Sequence, residues 1–130
     1  MPKVEPMPVK TNKDFARDLE RRTLRFGVSM IRLSTELPNT QEGRVIRSQL
    51  TKAGTSVGAN YREANRSRSR SDFNNRIDIC ASEASETQYW LEVIKEMKWL
   101  PDERLEVDYR ECSELLAIFT SIGKKSSTKD

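Results

Sequence analysis

Residues 46–61, IRSQLTKAGTSVGANY, carry the pattern that decides the fold. Ile46, Leu50, Ala53, Val57 and Tyr61 step by four, three, four and four positions, the spacing that lines up side chains on one face of an α-helix. The stretch is helical by period yet poor in helix formers. Its centre, Ala53 to Ala59, holds Gly54 and Gly58, and a glycine inside a helix costs about 1 kcal/mol relative to alanine. Tertiary packing must compensate. Close approach of another helix or another subunit over these small side chains would do so, and a kink or a frayed end is the alternative. Ala53, Gly54, Val57 and Gly58 are therefore candidate subunit contacts.

Working outward, the same period recurs on both sides. Upstream, Phe15, Leu19, Phe26, Met30, Leu33 and Leu37 follow at intervals of four, seven, four, three and four, which predicts a helix from about residue 14 to about residue 36. Pro38 stops it, and Asn39 or Thr40 can cap the amides that open the next helix. Downstream, a polar segment from Arg62 to Arg70 ends the second helix, and Ser69 with Asp72, or Ser71 itself, offers N-cap chemistry for a third. That helix carries Phe73, Ile77, Cys80, Ala84, Leu91, Ile94 and Met97 inward. It is about 27 residues long, roughly 40 Å at 1.5 Å per residue. Pro101 marks its end. Asp102 and Glu103 place negative charge at the start of a fourth helix, where the helix dipole favours it. Leu105, Tyr109, Cys112, Leu116 and Phe119 keep its period to about Ile122.

Short connections make neighbouring helices antiparallel. The expectation is an all-α chain, an antiparallel up-down-up-down four-helix bundle over residues 13–123. Residues 1–12, with Pro2, Pro6 and Pro8, read as a disordered N-terminal arm, and residues 124–130 as a flexible tail.

Composition narrows the function. The chain has 130 residues, enough for one domain, with 35% hydrophobic and 33% charged residues, the balance of a bundle with one apolar stripe per helix. No stretch approaches the roughly 20 apolar residues that cross a bilayer, and the N-terminus lacks the apolar run of a signal peptide. The expected location is cytoplasmic, with no membrane partner. Cys80 and Cys112 sit inside apolar helical patterns and read as buried thiols in a reducing compartment, a disulfide being the alternative. The chain contains no histidine, which removes the commonest general base and the usual ligand of bundle metal sites. An enzyme is not expected, nor is a cofactor.

The net charge of +3 is unevenly placed. Between residues 62 and 76, Arg62, Arg66, Arg68, Arg70 and Arg76 face only Glu63 and Asp72, so this window alone equals the whole excess, and the remainder reads as balanced. Arginines two apart in the RSRSR run suit phosphate contacts, because each guanidinium presents a planar fork of donors and the serines add hydroxyls. The alternative is a solvated turn whose arginines pair with nearby carboxylates, as surface charge runs commonly do. No aromatics interleave with the arginines, so base-specific stacking is not supported. Glu83 and Glu86 lie three apart on one helix face; a metal or proton-transfer pair is one reading, ion pairs with arginines of another helix the better one. Tyr89 and Trp90 are either core residues or aromatic anchors of a subunit interface.

The run QLTKAGTSVGANYREANRSRSRSDFNNRIDICASEASETQYWLEVIKEM, which covers helices two and three, resembles the four-helix-bundle proteins encoded in intervening sequences of bacterial 23S ribosomal RNA genes. The matching features are the Gln and Ala ahead of SVGAN, Glu63, the Arg and Ser cluster, Asp72 with Phe73, and EASETQYWL. Two positions depart: Ala64 stands where the family often has glycine, and Tyr61 where a smaller aliphatic is common, so a longer or more helical turn is expected. The resemblance implies an antiparallel four-helix bundle that forms ring-like pentamers. It also implies kinship with an accessory protein of diversity-generating retroelements, which associates with a reverse transcriptase and nucleic acid. It implies no established enzymatic activity. The combined expectation is a non-catalytic homo-oligomer binding RNA or a ribonucleoprotein through the arginine junction; the alternative is a protein-interaction scaffold that binds no nucleic acid.

Overall fold

Three of the four described helices begin where a side chain satisfies an open amide. The computed structural model describes residues 11–128 and holds α1 (Asn12–Ser34), α2 (Gln41–Ala64), α3 (Arg70–Met97) and α4 (Asp102–Ser127). Thr11 opens α1 with a capping box: its hydroxyl accepts from the Asp14 amide, and the Asp14 carboxylate accepts from the Thr11 amide. Thr40 accepts from the Gly43 amide at 3.0 Å and Ser69 from the Asp72 amide at 3.0 Å. Pro101 precedes α4 without a side-chain cap, and Asp102 and Glu103 supply the negative charge in its first turn. Lys98 ends α3 in the left-handed region, with φ of 56°.

Partner positions show the topology. Thr23 faces Gly58, and Met30 faces Gly54, so numbers rise along α1 as they fall along α2. Asn60 bonds Arg76 and Val57 meets Cys80 across α2 and α3. Asn74 bonds Ser126, and Gln88 donates to Ser113 at 2.8 Å, across α3 and α4. Arg22 reaches Glu111 and Arg104 reaches Glu36, which closes α4 back onto α1. Consecutive helices are thus antiparallel neighbours in a four-helix bundle. Met30, Leu33, Leu50, Ile77, Leu91, Ile94, Leu115 and Phe119 fill its core.

The small-residue face of α2 is used inside the chain. Ala53, Gly54 and Val57 are fully buried, and an added Cβ at Gly58 would come within 3.2 Å of Thr23. Burial within the single chain corrects the assignment of Ala53, Gly54 and Val57 as subunit contacts: Met30 of α1 closes over Gly54 and Cys80 of α3 meets Val57, while Gly58 borders an open groove. Three further inward assignments also change. Phe15 is 50% exposed because it lies at the end of the bundle, and Met97, the last residue of α3, is 51% exposed. On α4 Asp108 and Leu115 are buried, while Tyr109 turns toward the surface and Leu116 packs half-buried against the core. Asp108 tolerates burial because the Arg104 guanidinium donates to it at 2.9 Å.

The ends of the chain differ from the expected boundaries as well. Helix α4 runs to Ser127, beyond residue 123, because Ser126 is buried and its hydroxyl bonds Asn74 of α3. The N-terminal arm lies outside the described residues up to position 10, as do positions 129 and 130 of the tail.

Two outcomes follow from this packing. An added Cβ at Gly54 would lie 2.7 Å from Met30 Cβ, which is not the flexible end of that side chain. Overpacking of this kind costs about 1–3 kcal/mol, more than the roughly 1 kcal/mol gained in helix propensity. Gly54→Ala is expected to lower Tm in thermal denaturation. Gly27→Ala, where the nearest atom would be 3.4 Å away, is expected to leave Tm unchanged or raise it. The two thiols give the second. Burial pushes Cys80 and Cys112 up to about 12. Free cysteine ionises near pH 8.5, so the stabilisation held below that pH is lost as pH rises through the folded value. Iodoacetamide at pH 8 should label both cysteines only after unfolding; native labelling at the unfolded rate would contradict this.

Candidate nucleic-acid interface

The arginine junction is built from the last turn of α2, a five-residue turn and the first turns of α3. Its base is rigid. Tyr61 is buried, with its ring centroid 5.4 Å from that of Phe119, and Ala64 is buried beside it. Ala64 is the last residue of α2 and packs that end of the helix down onto the core. Backbone bonds from Arg66 to the Glu63 carbonyl and from Ser67 to the Ala64 carbonyl, at 3.0 and 3.1 Å, then tighten the chain before Ser69 caps α3.

All five arginines stand at the surface of this end of the bundle: Arg62, Arg66, Arg68, Arg70 and Arg76 are exposed. Arg66, Arg68 and Arg76 share an open groove of about 550 Å³ with Glu63, Asp72 and Asn75. Arg76 donates to the Asn60 side chain at 3.1 Å, and Arg70 approaches the Ser126 carbonyl at 3.4 Å. These bonds orient two of the guanidiniums without neutralising them. Among the described residues only Arg62 of the five has a carboxylate within ion-pair distance, Glu20 at 3.6 Å.

Arginines committed to structure look different. Arg22 meets Glu111 at 2.6 Å and Glu114 at 3.1 Å; the hydrogen bond that it donates to Glu111 is the main reason its pKa is raised. Arg104 meets Glu36 at 2.6 Å and Asp108 at 2.9 Å, and the Glu36 bond is the main cause of a rise there. The bundle thus saturates the arginines that close α1 onto α4 and leaves four of the junction arginines without a carboxylate partner among the described residues.

Two cations missing from the sequence-derived site join this end. Lys124 and Lys125 are exposed on the last turns of α4, which Arg70, Asn74 and Ser126 hold beside the start of α3. The signal was present in the period of α4, since Ser126 follows Ile122 by one turn, but a serine at an inward position is easily read as solvent-facing.

The remaining candidates separate. Tyr89 is 57% exposed, whereas Trp90 is half-buried against the core, and their rings meet edge to face at 5.0 Å. The Trp90 Nε1 is buried with no hydrogen-bond acceptor among the described residues. Glu83 has its pKa raised by burial first and by Glu86 second, opposed by Lys52 of α2. Its electrostatic partner is that lysine, so the expected pairing with arginines is corrected. Among the described residues no group of three His, Cys, Asp or Glu side chains is arranged to hold a metal ion, and no helix is long and apolar enough to cross a membrane.

Known proteins place this architecture. A crystal structure of a protein of unknown function from the S23 ribosomal protein family of Bacteroides thetaiotaomicron is 36% identical, with a TM-score of 0.76 over 82% of this chain and 98% of that one. No curated protein matches. Residues 12–121, which span α1 to α3 and most of α4, match the 23S rRNA-intervening sequence proteins, and the chain belongs to that family.

Proposed function

We propose that the chain is a non-catalytic, self-assembling helical module of the cytoplasm that binds RNA or a ribonucleoprotein through Arg62, Arg66, Arg68, Arg70 and Arg76. One observation carries the reading: four of these five exposed guanidiniums lack a carboxylate partner among the described residues, while Arg22 and Arg104 are saturated. Unpaired guanidiniums at 2-residue spacing in RSRSR offer forked donors to successive phosphate oxygens. Lys124 and Lys125 enlarge the same positive end. Assembly would repeat this end in each copy, the ring of five implied by the family resemblance being one such arrangement. Repetition converts weak phosphate contacts into useful affinity.

The absence of histidine supports the non-catalytic part, as does the direction of the thiol shifts, since protonated buried thiols are poor nucleophiles. Free, buried cysteines also suit a reducing compartment. A protein-interaction scaffold would draw on the same arginines to engage acidic protein surfaces. Partners that survive nuclease treatment in a pull-down would favour it.

Fluorescence anisotropy of the full chain with a structured RNA, titrated across potassium chloride concentrations, tests the proposal. Binding should weaken steeply with salt. Replacing Arg66, Arg68 and Arg70 together by Gln should reduce the slope of log K against log salt by about 2 to 3, at roughly 0.7–0.9 per phosphate contact. Absence of any salt-sensitive binding at low ionic strength would remove the RNA reading.

A further inference from the structure

Helix α1 carries an aromatic ring to the end of the bundle that holds the arginines. Phe15, Leu19, Phe26 and Met30 follow at intervals of four, seven and four, on the inward face of α1. Leu19, Phe26 and Met30 are 4%, 2% and 0% exposed, whereas Phe15, on the same face, is 50% exposed. The difference comes from its level along the bundle. Glu20 of α1 meets Arg62 at 3.6 Å and accepts a hydrogen bond from Asn65, which caps the end of α2, at 3.3 Å. Phe15 lies five residues nearer the start of α1, about 7.5 Å further along the axis at 1.5 Å per residue. It therefore stands level with the α2–α3 turn, where α2 has already ended.

Cations reach the same end from the other three helices. Arg62 and Arg66 stand where α2 ends, Arg68 and Arg70 where α3 begins, and Lys124 and Lys125 on the last turns of α4, all exposed. Asp14, the carboxylate next to Phe15, accepts from the amide and the hydroxyl of Thr11 in the capping box. The other aromatics at this end are committed to the interior: Tyr61 is buried, and Phe73 on the first turn of α3 packs against the core. Among the described residues Phe15 is thus the ring whose face is open beside the junction. The arginine run itself contains no aromatic, and the fold supplies one from α1.

A surface of guanidiniums alone reads phosphate and gains nothing from an exposed base. In an RNA duplex the bases are paired and stacked inside, so sugar and phosphate meet the protein; an unpaired strand can turn a base outward onto an aromatic ring. We infer that the RNA held at the junction is an unpaired segment, one base of which stacks on the ring of Phe15 while the arginines hold the flanking phosphates. The inference rests on the RNA reading proposed above and adds to it the strand state of the ligand and the residue that senses it. Every base has a π face, so this contact selects unpaired over paired RNA without selecting sequence.

Fluorescence anisotropy of the full chain at low salt, with single-stranded oligouridine and with an RNA duplex carrying the same number of phosphates, tests this. Phe15→Leu keeps an apolar side chain but loses the flat face. It is expected to bind the single strand about fivefold or more weakly, the loss of one base stack, and the duplex as the wild type does. Phe15→Trp, which keeps a flat face, is expected to bind the strand at least as tightly as the wild type. In the wild-type chain a strand carrying 5-iodouridine should photo-crosslink to the peptide that contains Phe15, which decides the matter if Phe15→Leu does not fold. A wild type with no salt-sensitive binding of either RNA would overturn the RNA reading and this inference together. A wild type that binds, with Phe15→Leu affecting strand and duplex alike or neither, or with crosslinks confined to another aromatic, would overturn this inference alone.

Discussion

The close approach of α1 to α2 is the constraint on which the remaining geometry depends. At Gly54 the α1 side chain Met30 occupies the space that any Cβ would need, and at Gly58 a Cβ would meet Thr23 tightly, at 3.1–3.2 Å. Thr23 is itself folded down, its hydroxyl donating to the Leu19 carbonyl at 2.9 Å, so the seam contains no free polar group from that residue. Two glycines in one helix are unfavourable by propensity. The dispersion and burial gained when two helices pack across them offset that cost. On the other side of α1 the joint is of a different kind: Arg22 and Arg104 span to Glu111 and Glu36, and fewer buried side chains interlock. Helix α1 is thus packed against α2 and tied electrostatically to α4.

That division shapes the exterior. Since α1 covers Gly54 of α2, that part of the small-residue face is used inside the chain, and Gly58 borders an open groove beside the exposed Leu24, Val28 and Ile31. Glu36, Asp108, Glu111 and Glu114 are engaged by Arg22 and Arg104, and among the described residues none of them lies within ion-pair distance of a junction arginine. Ion pairs that are partly shielded and geometrically paired hold their partners; exposed guanidiniums without such partners remain available to external anions. The uncommitted charge of the junction is in this sense a by-product of how the bundle is closed.

Much of this was legible in the residues. The helices, the stops at Pro38 and Pro101, the caps at Thr40 and Ser69, and the inward face of α2 follow from period and local chemistry alone. What was not legible depends on partners. Spacing identifies the small-residue face from Ala53 to Gly58 but not whether the covering helix belongs to the same chain. On α4 the apolar pattern points to Tyr109 and Leu116, because the true inward position beside Leu115 holds a carboxylate whose burial makes sense only once Arg104 is seen to bond it. Lys124 and Lys125 join the junction only because Ser126 docks on Asn74.

The central functional claim concerns where an anionic polymer would settle on this surface. Hydrogen–deuterium exchange of the full chain with and without a structured RNA at low salt addresses it directly. Protection is expected to concentrate in peptides spanning residues 62–76, to extend to the last turns of α4, and to fade as salt is raised. Protection confined to the α3–α4 face around Glu92 and Glu106, or none at any ionic strength, would contradict it.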